Sequence, residues 1–281
     1  MDIDFNPLNW IGNRPPVVSV VPLSGPIGGL GGVKKGLTLS SVAEHLNRAF
    51  QGKRVKAVAL AINSPGGSPV QSALIHRRIR DLAAEHDKPV FAFCEDVAAS
   101  GGYWLAAAAD EIYADESSLV GSIGVVSAGF GFHEAIEKLG IDRRVHTSGE
   151  KKVILDSFKP ERDEDVDILG EIHGDIHEAF KAMVRDRRQG KLPVDETEIF
   201  SGRFWTAPRA KDFGLVDALG HLRPVMRERF GDRVRFRVHA ERKPRFLRRF
   251  GLARQESFGT DLGRGLLAAV EERLIWNRFG L

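Results

Sequence analysis

Two apolar runs of strand length, Ala57–Ile62 in "KAVALAINSPGG" and Val90–Cys94 in "PVFAFCEDVAASGG", each run on into a Gly-Gly pair and then into a helical pattern. A run without polar alternation is how a parallel strand covered on both faces reads. The stretch between the runs predicts a helix, with Pro69 in its first turn, Ile75, Ile79 and Leu82 at helical spacing, and His86-Asp87-Lys88-Pro89 to stop it. The same alternation extends both ways. Upstream, "PVVSVVPLSGPI" predicts a strand and "LSSVAEHLNRAF" a helix capped by Ser40 or Ser41. Downstream come a helix from Ser100 through "GGYWLAAAA", a strand "EIYA", a Gly-broken stretch "SSLVGSIGVV", a helix "HEAIEKLG" and a strand "DRRVHT". Strand, helix and strand in succession imply an α/β fold with a mostly parallel sheet covered by helices.

From Glu161 a long helix is predicted, with Val166, Leu169, Ile172, Ile176, Phe180 and Met183 stepping by three or four. Another is expected near "LRPVMRERF", and beyond about residue 240 the chain is basic and aromatic together. Composition narrows the setting. The lone Cys94, inside an apolar run, excludes an intramolecular disulfide and fits a reducing compartment. The N-terminus lacks the pattern of a signal peptide, and no run reaches the roughly 20 apolar residues of a membrane span, so a cytoplasmic location is expected.

Ser100 stands where a strand turns sharply into a helix, with Ala98 and Ala99 before it and Gly101 and Gly102 after it. A serine hydroxyl needs such exposure, a base and N–H donors for the oxyanion before it can attack a carbonyl. A helix N-cap has the same local sequence. The pair Gly66-Gly67 ends the neighbouring strand at the same carboxyl edge of the sheet, where ligands bind in open α/β folds, and two such turns suggest an oxyanion hole. None of the nine histidines is convincingly placed as the base. His173 and His177 form an i, i+4 pair without a nearby third metal ligand, so they read as a solvated helix face. "SGEKKVILDSF" offers Lys151 and Lys152, either of which would need a lowered pKa to act as a base, or else both are solvated loop charges.

Taken together, "AINSPGG", "DVAASGGYWLA", "GSIGV", "SGEKK" and "SGRFWTAPRAKDFGLVDALG" resemble the signal peptide peptidase A (protease IV) family, in its SohB-like branch, over roughly residues 16 to 230. The resemblance implies a ClpP/crotonase-like fold of β-β-α units and a serine endopeptidase that uses a Ser-Lys dyad without metal or organic cofactor. It makes Ser100 the nucleophile and Lys152 the base, with the backbone N–H groups of Gly67 and Gly101 as the oxyanion hole and Ser122 orienting the lysine. It also implies assembly into a homo-oligomeric ring in which serine and lysine meet across subunit boundaries. Lys151 stands where many relatives carry an aromatic residue, and it would either lower the pKa of Lys152 by like-charge repulsion or itself be the base.

The expected organisation is an N-terminal extension over 1–15, a peptidase domain over 16–240 and a basic amphipathic tail over 241–281. The tail has the composition of a segment lying on a membrane surface, and docking on the core or on another subunit is the equal alternative. Substrates are expected to be signal-peptide remnants or other unfolded, apolar peptides, and nucleic acid is not an expected partner. Two other functions share the fold: a crotonase-type acyl-CoA enzyme, which needs no nucleophilic serine, and a catalytically inactive membrane-surface scaffold.

Overall fold

The computed structural model describes residues 14–30 and 34–240, together with Arg273, Trp276, Asn277, Phe279 and Gly280. Its elements in chain order are β1 (Val17–Ser24), β2 (Gly29–Leu30), β3 (Lys34–Lys35), α1 (Leu39–Phe50), β4 (Val55–Ser64), α2 (Pro69–His86), β5 (Val90–Ala99), α3 (Gly101–Ala106) and β6 (Glu111–Ala114). They continue with β7 (Leu119–Gly121), α4 (His133–Lys138), α5 (Asp163–Arg187), β8 (Phe204–Thr206), α6 (Ala207–Asp212), β9 (Ala218–Leu219), α7 (Leu222–Phe230) and β10 (Arg235–Val238). The main sheet runs β10-β1-β4-β5-β6-β9 with every pair parallel.

The continuous apolar runs follow from burial on both faces. Val58, Leu60 and Ile62 of β4 face one cluster with Ile75, Ile79 and Leu105, while Ala57, Ala59 and Ala61 face a second with Phe91, Phe93 and Met226. In the second layer the small alanines of β4 leave room for the phenylalanines of β5.

One irregularity of the sheet positions the site. Residues Phe91–Cys94 of β5 pair with β6, but Val97–Ala99 pair with β7, which in turn pairs antiparallel with β8. At the change of neighbour, Asn63 Nδ2 donates to Asp96 Oδ2 at 2.6 Å and the Val97 N–H donates to Asn63 Oδ1 at 3.3 Å. The last three residues of β5 thus carry a short ledge of β7 and β8 at the side of the sheet, while Ala98 stays joined to β4 through its pairing with Ser64.

Three local expectations are corrected. Helix α1 is capped by Thr38, not Ser40 or Ser41: the Ser41 N–H donates to the Thr38 hydroxyl at 3.2 Å and the Thr38 N–H to the Ser41 hydroxyl at 3.0 Å, a reciprocal box. The helix from Ser100 is α3, six residues long, followed by turns through Ala109. The strand predicted over 142–147 does not form, because its residues pair with no other strand and stand largely in solvent. Helix α5 is long as expected, but its buried apolar residues, Phe180 and Val184, lie in the C-terminal half, while Val166 and Ile172 are exposed and the N-terminal half buries Asp165. The expected tail lies outside the described residues, except for the few near its end, where Phe279 is buried.

A buried ion pair ties α5 to the far edge of the sheet. Arg188, 2% exposed, donates to Asp217 at 2.8 and 3.1 Å and to the Gly214 carbonyl at 2.7 Å. Asp217 also accepts from the Ile112 N–H at 2.7 Å.

Candidate active site

Ser100 occupies the N-cap position of α3, yet its side chain makes no capping hydrogen bond, so the hydroxyl is not spent on the helix. Its backbone lies at φ 53° and ψ −123°, a region that serine enters only at a cost of about 1–3 kcal/mol. The turn is held by the Ser100 N–H donating to the Gly121 carbonyl at 2.8 Å and by the Trp104 N–H donating to the Ser100 carbonyl at 3.1 Å. Ser122 stands one residue past the end of β7, as Ser100 does past β5, and also has a positive φ, 52°. The Ser122 N–H donates to the Arg203 carbonyl at 2.7 Å.

The Gly66-Gly67 turn reaches the same point from β4. A methyl group on Gly66 would stand 2.7 Å from Ser100 Cβ and 2.8 Å from the Gly101 nitrogen, so only glycine lets the two turns meet. Gly67, at φ 142°, has no room for a side chain either, since a Cβ there would stand 2.1 Å from the Ile27 carbonyl oxygen. Ile27 fixes this turn from both sides: its N–H donates to Gly66 O and its carbonyl accepts from Ser68 N, both at 2.8 Å. Among the described residues the N–H groups of Gly67 and Gly101 have no backbone acceptor, which leaves two donors on residues that line the same cavity as Ser100.

These groups open into a cavity of about 450 Å³, lined by Ser100, Gly67, Gly101 and Ser122 together with the apolar Trp104, Val125, Val126, Ile176 and Phe180. Trp104 and Phe180 stack with ring centroids 4.5 Å apart, joining α3 to α5. At its other end α3 is held by guanidinium groups: Arg187 donates to the carbonyls of Ala107 and Ala109 at 3.0 Å each, and Arg80 to that of Ala108 at 3.1 Å. Orphan carbonyls at a helix end need such partners.

No histidine lines the cavity. His76 is half-buried on α2, and desolvation with the nearby charges of Arg187 and Arg80 pushes its imidazole down to about 4. His173 and His177 are not a bare solvated face. His177 Nε2 donates to the Ile123 carbonyl at 3.1 Å and His173 Nε2 lies 2.7 Å from Ser127 Oγ, so the pair fastens the 123–127 wall of the cavity to α5. Burial and the charge of Lys181 hold the His177 imidazole below its ordinary value. Among the described residues no group of three or more His, Cys, Asp or Glu could hold a metal ion.

The predicted base is elsewhere in the single chain. Lys152 is exposed, in a turn closed by its N–H donating to Gly149 O at 3.2 Å, and does not line the cavity. Lys151 is paired with Glu164 at 2.8 Å, and that hydrogen bond and charge push its ammonium pKa up. The wall residues Ile176, Phe180, Val125 and Val126 were not singled out as site residues by sequence. The helical spacing of Ile176 and Phe180 was visible, but which half of α5 would face Ser100 was not.

Residues 83–229 match the model of Peptidase family S49. The Na(+)/H(+) antiporter NhaA of Brucella abortus is 49% identical over 273 residues, covering 94% of this chain and 37% of that protein. The chloroplastic serine protease SPPA of Arabidopsis thaliana is 34% identical over 206 residues, covering 73% of this chain and 29% of that protein. The chain therefore spans well under half the length of these relatives. Among solved structures, a mutant of the membrane-bound stomatin-specific protease 1510-N covers 82% of this chain and 100% of its own, with a TM-score of 0.52 at 14% identity. That likeness shows the fold, a mostly parallel ClpP-like α/β architecture. Among the described residues no helix is long and apolar enough to cross a membrane. With the matched residues running from the end of α2 through Ser100 and α3 to α7, the chain belongs to Peptidase family S49, the serine peptidase family of signal peptide peptidase A.

Proposed function

We propose that this chain is an endopeptidase in which Ser100 is the nucleophile and Lys152 the base, acting on unfolded or apolar peptides. The observation that carries the reading is the strained, uncapped Ser100 held against the Gly66-Gly67 turn, with Gly67 and Gly101, whose N–H groups have no backbone acceptor, lining the same cavity. Neutral Lys152 would take the Ser100 proton as Oγ attacks the peptide carbonyl, and the oxyanion would rest on those two N–H groups. The lysine would then hand the proton to the leaving amine, and water activated by the same lysine would hydrolyse the acyl-enzyme. Ser122, beside Ser100 in the cavity lining, is suited to hold the lysine in place. The apolar wall of Trp104, Ile176 and Phe180 favours apolar side chains in the substrate.

Lys152 is proposed to reach Ser100 of a second copy in a ring. The segment that carries it is rich in uncovered apolar side chains: Phe130 is 75% exposed and Leu139 72%, with Ile141 and, on α5, Val166 and Ile172 also in solvent. Exposed apolar side chains before and after Lys152 in the chain are suited to an interface between copies, and an interface that takes in the lysine would desolvate it, which favours its neutral form. Of the two lysines, Lys152 is the better base because Lys151 is held protonated by Glu164. That a protein named as an antiporter contains a region 49% identical to this chain supports substrates met at a membrane surface.

The test is labelling with a fluorophosphonate followed by intact-mass spectrometry of wild type, Ser100→Ala and Lys152→Ala. One adduct on wild type and none on either variant is expected. Mixing the two inactive variants should restore labelling, since a ring that alternates them rebuilds Ser100 of one copy beside Lys152 of the next. An assembled wild type that takes no label would refute the peptidase reading. Acyl-CoA turnover that survives Ser100→Ala would establish the crotonase-type alternative, and lipid binding without any acylation the scaffold.

A further inference from the structure

The ledge that carries Ser100 is small. Val97–Ala99 of β5, Leu119–Gly121 of β7 and Phe204–Thr206 of β8 are three residues each, and ladders so short do not hold themselves rigid without side-chain packing. On one face, Ala98 of β5 joins the main core through Val120 of β7. On the other face Val97 and Ala99, both fully buried, form a separate cluster in which the other buried member among the described residues is Phe279, with Leu119 and Trp276 packed around it. Phe279 also lies 5.0 Å, centroid to centroid, from the ring of Phe204. A single ring therefore reaches all three strands of the ledge. It is delivered by a turn in which the Phe279 N–H donates to the Trp276 carbonyl at 2.9 Å and the Gly280 N–H to that of Asn277 at 3.1 Å.

We infer that Phe279 is a positioning residue for Ser100: the C-terminal aromatic turn buttresses the underside of the ledge, and the rate of attack by Ser100 depends on it. The chain of contact is short. Ser100 follows Ala99 directly, its N–H is bonded to Gly121 O at the end of β7, and Ser122 follows Gly121. Without the Phe279 ring, Val97 and Ala99 would keep only the partly buried Leu119 and Trp276 on that face, and the strained turn beyond them would lose part of its support. Displacement of a reacting group by about 1 Å costs on the order of 100-fold in rate, so even a partial relaxation is measurable. The inference rests on Ser100 being the nucleophile.

The experiment compares full-length wild type, Phe279→Ala and Phe279→Leu by fluorophosphonate labelling kinetics and by hydrogen exchange of the amides over residues 97–101. In Phe279→Ala, exchange over 97–101 should rise and the saturating labelling rate should fall about tenfold or more, while the probe concentration for half-saturation stays within twofold. Phe279→Leu, which keeps part of the cover, should fall between the two in both measurements. Alanine-variant exchange and rate equal to wild type overturn the inference. If the alanine variant does not assemble, the leucine variant decides: a rate two- to fivefold lower supports the inference and an unchanged rate overturns it. Should wild type itself take no label, the reading of Ser100 fails separately, and exchange alone judges the buttress: a rise over 97–101 supports it, and no change overturns it.

Discussion

Replacing Gly66 with alanine tests whether the two turns meet at Ser100 as described. The new methyl would sit 2.7 Å from Ser100 Cβ, 2.8 Å from Gly101 N and 2.9 Å from Ala99 O, at a backbone φ of 102°. Carbon contacts settle at about 3.5–4.0 Å, so one turn must retreat from the other by about 1 Å. The left-handed strain and the overpacking together cost roughly 2–5 kcal/mol, which at about 2–4 °C per kcal/mol for a domain of this size lowers Tm by roughly 4–20 °C. A 1 Å retreat of the Gly67 and Gly101 donors from Ser100 should slow acylation on the order of 100-fold, or about 2.7 kcal/mol in barrier. The assay is the fluorophosphonate labelling rate beside a thermal melt. Gly170→Ala in α5 is the control: nothing lies within 4 Å of a Cβ there, and alanine in a helix interior should gain about 0.5–1 kcal/mol without changing the rate. Wild-type labelling and an unchanged Tm for Gly66→Ala would refute the argument, because the turns would then not be in contact.

The adjacent lysines should separate cleanly by the same assay. Lys152→Gln is expected to lose about 10²–10⁴-fold in labelling rate, the range of a general base, while Lys151→Gln, which breaks only the exposed pair with Glu164, should stay within about threefold. Removing one partner of the buried Arg188 pair should be costly, with Asp217→Ala losing about 3 kcal/mol in urea denaturation, the low end for such pairs because Asp217 keeps some contact with water. The Asp217 carboxyl is pushed up by burial, but hydrogen bonds from Arg188, Lys191 and the Ile112 N–H outweigh this and hold it below its ordinary value. Its contribution is thus fully present above the unfolded carboxylate pKa of about 3.9 and lost as pH falls through the lower folded value. The stability gap between wild type and Asp217→Asn should accordingly be flat above about pH 5 and close in more acid solution. Cys94 is buried, which pushes its thiol up to about 12, so a thiol reagent should leave the folded protein unmodified at neutral pH and modify it fully in denaturant. Rapid native reaction would mean that the inner strand opens.

What the sequence determined by itself was the part of the protein whose physics is local. Strands β4 and β5 were legible because burial on both faces leaves an unbroken apolar run. The helix between them was legible from its spacing and from Pro69. The Ser100 turn and the Gly66-Gly67 turn announced themselves because a close approach of two backbones admits only small residues, and that requirement is written in the chain at the positions concerned.

The rest depended on which distant segments come together. Nothing in the three residues of β7 or of β8 marks them as a ledge, because a strand so short has no period to read, and the 142–147 stretch had strand-like composition but no neighbour to pair with. His173 and His177 looked like a solvated face until the fold brought Ile123 and Ser127 against them, and Lys151 was one of two equivalent cations until Glu164 stood beside it. Arg188 found Asp217 across 29 positions, and Phe279 found Val97 across most of the chain. Hydrogen bonds, ion pairs and packing act over a few ångströms in space and carry no mark of sequence separation, so the chain supplied the reactive groups and only the tertiary structure chose their partners.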